Sequence, residues 1–212
     1  MSVEKYLSEV IAKSLATELE QILTLKEVTR NTDLLGTYTE AAVRRLCRRV
    51  VHPLRVSEGA IIDYPMPKKL KQIDLIVWAP FPAPSVFEID DFGLVPRSSA
   101  FGAMEIKRSN YSGVEKELEE FAKTAPGLIA DGEKRPLPGV IGVICVLEKK
   151  RSERLEKLLK DGSAIALFER GSSKVSLRPK DILRLINFLH RVVRFYHREA
   201  SLSPLLELRT DF

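Results

Sequence analysis

The run Phe101-Gly-Ala-Met-Glu-Ile-Lys107 restricts the folding of this chain more than any other segment. Side chains alternate faces along an extended strand, so Glu105 and Lys107 share one face while Met104 and Ile106 share the other. A carboxylate and an ammonium on an otherwise apolar strand are costly to bury unless something compensates them. Asp74 poses the same problem in Gln72-Ile-Asp-Leu-Ile-Val-Trp78, where Ile73, Leu75, Ile76 and Val77 surround it. With these two strands as neighbours, Asp74 and Glu105 converge on one cation. Two carboxylates, a backbone carbonyl and water suit Mg²⁺.

Periodicity sets the frame around these strands. Leu7, Ile11, Leu15, Leu19 and Leu23 recur every fourth residue and predict an amphipathic helix over 2–25. Residues 30–36 form a polar break, and a second helix is predicted over 38–50, opened by Thr37 and ended before His52-Pro53. Strands are predicted over 56–64 and 72–78, joined by a turn at 65–71 as an antiparallel pair. Residues 79–99 carry Pro80, Pro82, Pro84 and Pro96 and read as a long loop. A third strand covers 100–107, and Ser112 with Glu115 three residues on forms a capping-box pattern for the next helix. After a turn at 132–139 come a β-branched strand at 140–147, a charged helix at 148–160, a strand at 164–169 and a long helix at 179–199.

This order predicts an α/β fold, one mixed sheet with helices on both faces. It has an N-terminal helix within residues 1–30, a single domain over 31–212 and a long C-terminal helix. Three strands precede the first crossover helix, so a doubly wound nucleotide fold is excluded. No Gly-x-Gly-x-x-Gly turn and no Gly-Lys-Ser/Thr phosphate loop follows a strand.

No apolar stretch is long enough to span a membrane, and residues 1–21 mix acids and bases, unlike a secretory signal. Cys47 and Cys145 lie inside apolar patterns, which points away from a disulfide scaffold and toward the cytoplasm. The net charge is +5, and the stretch from Glu169 to Glu199 carries eight basic residues against three acidic ones, the same excess. Within it the last helix puts Lys180, Arg184, Asn187, Arg191, Arg194 and Arg198 on one face. That stripe suits a phosphate backbone; it equally suits the solvated face of a core-packing helix. His52, His190 and His197 show no metal-ligand spacing, and Trp78 reads as a core residue.

Asp74 followed by Glu105-Ile106-Lys107 resembles the PD-(D/E)XK phosphodiesterases, the restriction-endonuclease-like fold. The resemblance covers roughly 35–147 and is similar to an uncharacterised branch in which a helix with Gly and Glu precedes a Ser-Glu-Gly-Ala-Ile-Ile-Asp strand and a Gln-Ile-Asp-Leu strand. It implies that Asp74, Glu105 and the Ile106 carbonyl hold Mg²⁺, with Mn²⁺ as a substitute, and that Lys107 orients or deprotonates the attacking water. It further implies that Glu40, in Gly36-Thr-Tyr-Thr-Glu, binds a second ion or its water shell, with Gln72 supporting Asp74 from the same strand face. On the residues alone, Glu40 also fits a capping box with Thr37, or a surface ion-pair row with Arg44 and Arg48. Glu148-Lys149-Lys150 repeats the acid-x-Lys pattern after an apolar strand but opens a charged, solvated run.

The expected activity is Mg²⁺-dependent cleavage of nucleic acid, most simply DNA, with Arg184, Arg191, Arg194 and Arg198 meeting the phosphates. Two other classes stay open. One is a non-catalytic nucleic-acid-binding module on the same fold. The other is an interaction subunit that docks through its N-terminal helix on a partner or on a second copy as a homodimer.

Overall fold

Two central strands organise the molecule. In a computed structural model of the protein they are Ala100–Ser109, buried over its first half and carrying Glu105, Lys107 and Arg108 in its second, and Val140–Leu147, uncharged and buried over nearly all its length. The structure describes residues 29–63, 70–80, 83–129, 139–171 and 175–202, together with scattered positions between 6 and 21. Its strands are β1 (Arg55–Ile62), β2 (Ile73–Trp78), β3 (Phe87–Ile89), β4 (Phe92–Pro96), β5 (Ala100–Ser109), β6 (Val140–Leu147), β7 (Ala164–Arg170) and β8 (Val175–Leu177). Its helices are α1 (Thr32–Val50), α2 (Val114–Thr124), α3 (Glu153–Asp161) and α4 (Pro179–Leu202).

All eight strands join one sheet in the order β3-β4-β1-β2-β5-β6-β7-β8. The β5-β6-β7 half is parallel, which requires crossover helices, and α2 and α3 supply them. The β1-β2-β5 half is antiparallel. Helices α1 and α4 cover one face, packing Val43, Leu46, Cys47, Leu185 and Leu189 against Leu75, Val77, Met104, Val143 and Cys145. Helices α2 and α3 cover the other through Leu118, Phe121, Leu155 and Leu159. The mixed sheet with helices on both faces is thus as the sequence predicts. Among the described residues no helix is long and apolar enough to cross a membrane.

Several boundaries differ, each for a local reason. Helix α1 begins at Thr32, because Asn31 accepts hydrogen bonds from the amides of Asp33 and Leu34. Thr37 is therefore interior and donates to the Asp33 carbonyl, so the Thr37/Glu40 capping box does not form. Helix α2 starts after Gly113, which holds φ 96°, rather than at a Ser112 cap. Helix α3 starts at Glu153 with Ser152 as its cap, leaving 148–151 as a turn. The expected loop at 79–99 contains β3 and β4, which form an antiparallel pair, and β4 runs parallel to β1. β8 also escaped the periodicity, being three residues long at the sheet edge. The helix expected over 2–25 lies largely outside the described residues. Its described positions are helical, with Ile11 against the core and Arg49 donating to the Ser14 hydroxyl at 3.2 Å. The turns expected at 65–71 and 132–139 also lie largely outside the described residues.

The β1–β4 contact depends on two glycines facing each other. Gly59 holds φ +136° opposite Gly93, and a Cβ on it would lie 2.0 Å from the Gly93 carbonyl oxygen. Gly59→Ala is expected to lower the free energy of unfolding by about 2–4 kcal/mol, combining backbone strain with overlap. Urea denaturation checks this, and an unchanged midpoint would refute the close approach of the two strands.

Candidate active site

The β2–β5 ladder pairs Leu75 with Met104 and Ile76 with Ala103, a register that brings Asp74 beside Glu105. At that end the carboxylate of Asp74 replaces a backbone acceptor: the Ile106 amide donates to Asp74 Oδ2 at 2.7 Å. In an antiparallel pair the N–H and C=O of one residue point to the same neighbouring strand. The Ile106 carbonyl is therefore directed to the side on which its amide meets Asp74. Glu105 and Lys107 share a face as the alternation requires, and Lys107 Nζ lies 2.8 Å from Glu105 Oε1 and 2.9 Å from Glu117 Oε2 on α2. Tyr111 donates its hydroxyl to the same Glu117 oxygen at 2.7 Å.

Around this group opens a depression of about 540 Å³, lined by Thr32, Asp33, Gly36, Thr37, Thr39, Glu40, Gln72, Asp74, Ile106, Lys107, Arg108 and Tyr111. Its wall is the first half of α1, which exists because Asn31 caps the helix ahead of Thr32. Glu40 sits one turn before Arg44, a residue only 3% exposed. Arg44 Nη1 donates to the Asp74 carbonyl at 3.0 Å and pairs with Glu58 at 2.8 Å and Glu40 at 3.6 Å. Glu58 reaches it from a bulge, since the β1–β2 register shifts between Ser57 and Gly59.

The carboxyls crowd one another. Burial, reinforced by the nearby charge of Glu105, pushes Asp74 up to about 6 despite the Ile106 amide. Burial and then the Asp74 charge push Glu40 up to about 7. Burial alone would lower Lys107, but its hydrogen bonds to Glu105 and Glu117 outweigh that and hold the amine above its ordinary range. Such carboxyls are the groups a divalent ion relieves. Two carboxylates and a carbonyl are hard oxygen donors that fit Mg²⁺ or Mn²⁺ with water completing the shell. Among the described residues no three His, Cys, Asp or Glu side chains form a ready-made metal cluster.

The structure therefore brings together Asp74, Glu105, Ile106, Lys107 and Glu40, with Gln72 exposed on the rim. Arg184, Arg191, Arg194 and Arg198 are exposed on α4, and none of them lines the depression. Arg184 is engaged by Asp181 at 3.2 Å and by the Leu159 carbonyl at 2.9 Å. Glu148 pairs with Arg170 at 3.0 Å in the turn after β6, apart from the depression. The expected ion pair of Glu40 with Arg44 forms, but with Arg44 buried rather than on the surface, and Glu58, Tyr111 and Glu117 are not assigned roles by sequence reasoning. The one available signal was the placement of Arg44 one turn after Glu40 within the apolar stripe of Val43, Leu46 and Cys47.

No family model and no curated protein matches this sequence. Solved structures do. The NucC protein of E. coli MS115-1 in its cAAA-bound form superposes with a TM-score of 0.63 at 14% identity, over 90% of each chain. NucC of P. aeruginosa ATCC27853, also cAAA-bound, gives 0.60 at 12% identity, over 93% of this chain and 99% of that one. The apo form of the E. coli protein gives 0.55 at 14% identity, over 93% and 92%. At this identity the likeness shows the fold alone, a restriction-endonuclease-like mixed sheet with helices on both faces.

The crowding predicts a pH dependence. Asp74 and Glu40 titrate at about 6 and about 7 in the folded chain, above their ordinary 3.8 and 4.5. Between those values the folded chain holds protons that the unfolded chain has released. The stability linked to these two groups is complete below the ordinary values and is lost as pH rises through about 6 and 7. In chelating buffer, a variant carrying both Asp74→Asn and Glu40→Gln is expected to lose less stability than the parent between about pH 5 and about pH 8. Denaturation curves across that range check it, and equal slopes would refute the crowding.

Proposed function

We propose that the chain hydrolyses phosphodiester bonds in nucleic acid, most simply as a DNA endonuclease, using a divalent cation held by Asp74, Glu105 and the Ile106 carbonyl. The observation that carries this reading is the junction at the end of the β2–β5 ladder. There two carboxylates from neighbouring strands meet, one fixed by the Ile106 amide at 2.7 Å, with a lysine amine 2.8 Å from the other. The fold shared with NucC supports the reading at the level of architecture.

When bound, the cation polarises the scissile phosphate and lowers the pKa of a water molecule at the site. The rest is the work of the chain's own groups. Asp74 and Glu105 would hold that cation at the strand ends. The Lys107 amine, kept protonated by Glu105 and Glu117, donates hydrogen bonds. It therefore orients the attacking water and offsets the charge that develops on the phosphoryl oxygens. A protonated amine does not take the proton from that water. Glu40, on the opposite wall, holds the water shell of the site. Arg191, Arg194 and Arg198 on the exposed face of α4 supply sequence-independent contacts to a phosphate backbone beyond the depression.

The purified protein is expected to nick or cut supercoiled plasmid in Mg²⁺ or Mn²⁺ and not in a chelator. Lys107→Ala is expected to lower the rate by about 10²–10³-fold, and Asp74→Asn by at least as much, with circular dichroism unchanged. Cutting that survives both substitutions would refute the reading. Salt-sensitive DNA binding without cation uptake or cutting would favour the non-catalytic binding module instead.

A further inference from the structure

We propose that the guanidinium of Arg44 serves as a built-in second cation, so that the site takes one divalent ion between Asp74 and Glu105 rather than a pair. This rests on the reading above and specifies the ion count of that site. Two-metal phosphodiesterase sites hold their ions about 3.5–4 Å apart and need oxygen ligands for both. On the α1 side of Asp74 the oxygens that a second ion would need are those of Glu40, Glu58 and the Asp74 carbonyl. Arg44 Nη1 already contacts all three, at 3.6, 2.8 and 3.0 Å. An ion placed there would have to displace a side chain that is 3% exposed and packed within α1.

The guanidinium also bears a sign of being drawn to this place. Its Nε is buried without a hydrogen-bond partner, the nearest carboxylate being Asp91 at 3.9 Å. Buried donors in folded proteins are almost always satisfied, so an unmet one calls for a cause. Here the cause is Nη1, which the carboxylates and the Asp74 carbonyl hold on the site side while Asp91 is taken by Arg48 at 2.5 Å. Arg44 is thus a positioning residue, acting through Asp74 and Glu40 rather than on a substrate.

Titration of the metal-free full chain with Mn²⁺, followed by calorimetry and by electron paramagnetic resonance, tests the count. The wild-type chain and Arg44→Lys are expected to take one ion with no Mn²⁺–Mn²⁺ spin coupling. Arg44→Met, which frees Glu40, Glu58 and the Asp74 carbonyl, is expected to take two ions and to show coupling. A wild-type chain that binds two coupled ions would overturn the role of Arg44 and leave the nuclease reading intact. A wild-type chain that binds none would overturn that reading itself and this inference with it. Arg44→Met binding a single ion with unchanged affinity would overturn the inference alone. Should Arg44→Met not fold, the wild-type and Arg44→Lys counts decide the matter.

Discussion

The hydrogen bond from the Ile106 amide to the Asp74 carboxylate is the interaction on which the site depends. Up to Leu75 and Met104 the two strands pair through their backbones. One residue further, a side chain takes the acceptor's place, and the ladder ends in a carboxylate rather than in another carbonyl. Hydrogen bonds to charged groups contribute about 1.5–3 kcal/mol, so this substitution costs the sheet little. It fixes the Asp74 side chain while Arg44 fixes the carbonyl of the same residue. Residue 74 is held from both its side chain and its backbone, one grip from β5 and the other from α1. The depression lies where the antiparallel part of the sheet meets the parallel part, walled by α1, with α2 reaching Lys107 through Glu117.

What could be seen in the sequence follows from whether a feature is local. β5 and β6 were legible because their apolar runs are long, and the charges on β5 were conspicuous for the same reason. β3 and β4 were not, since Phe87–Ile89 and Phe92–Pro96 are short, flanked by prolines and joined across Asp90-Asp91. They become strands only by pairing with β1, and the Gly59–Gly93 approach that allows this is a tertiary event. Asn31 was overlooked as a cap because Leu34-Leu35-Gly36 looks like the end of a break, although its side chain satisfies two amides at once. The convergence of Asp74, Glu105 and Lys107 was legible from alternation once their strands were taken as neighbours. Arg44 was not. Whether an arginine on an amphipathic helix is solvated or buried depends on what faces it, and Glu58 faces it only because of a bulge in β1.

The same division separates the fold from the chemistry. At 12–14% identity the NucC structures share this architecture over nine-tenths of the chain. Apolar strand positions tolerate exchange among residues of similar volume, so a sheet of this kind persists while its sequence drifts. A site built from carboxylates and two cations has no such tolerance, because each charge is compensated by named neighbours. The architecture therefore carries no residue roles with it, and the residues at positions 40, 44, 58, 74, 105 and 107 have to be argued on their own contacts.

Those contacts crowd several carboxyls at the end of the β2–β5 ladder. Asp74 is raised by burial and by the charge of Glu105, Glu40 by burial and by the charge of Asp74, and Lys107 is occupied as a counter-charge to Glu105. Functional sites commonly break local rules of stability that the rest of the fold then has to support. Here the support is visible: β2, β5 and β6 are buried on both faces behind the site, and α1 is capped at one end and packed on the sheet along Ala42, Val43, Leu46 and Cys47. A cation arriving between Asp74 and Glu105 would relieve the repulsion and release the Lys107 amine from Glu105, while Glu117, itself held by the Tyr111 hydroxyl, would keep hold of it from α2. The amine then stays at the mouth of the depression instead of swinging into solvent. Glu117 thus does for Lys107 what Arg44 does for Asp74, holding it in place from a helix rather than from the sheet itself.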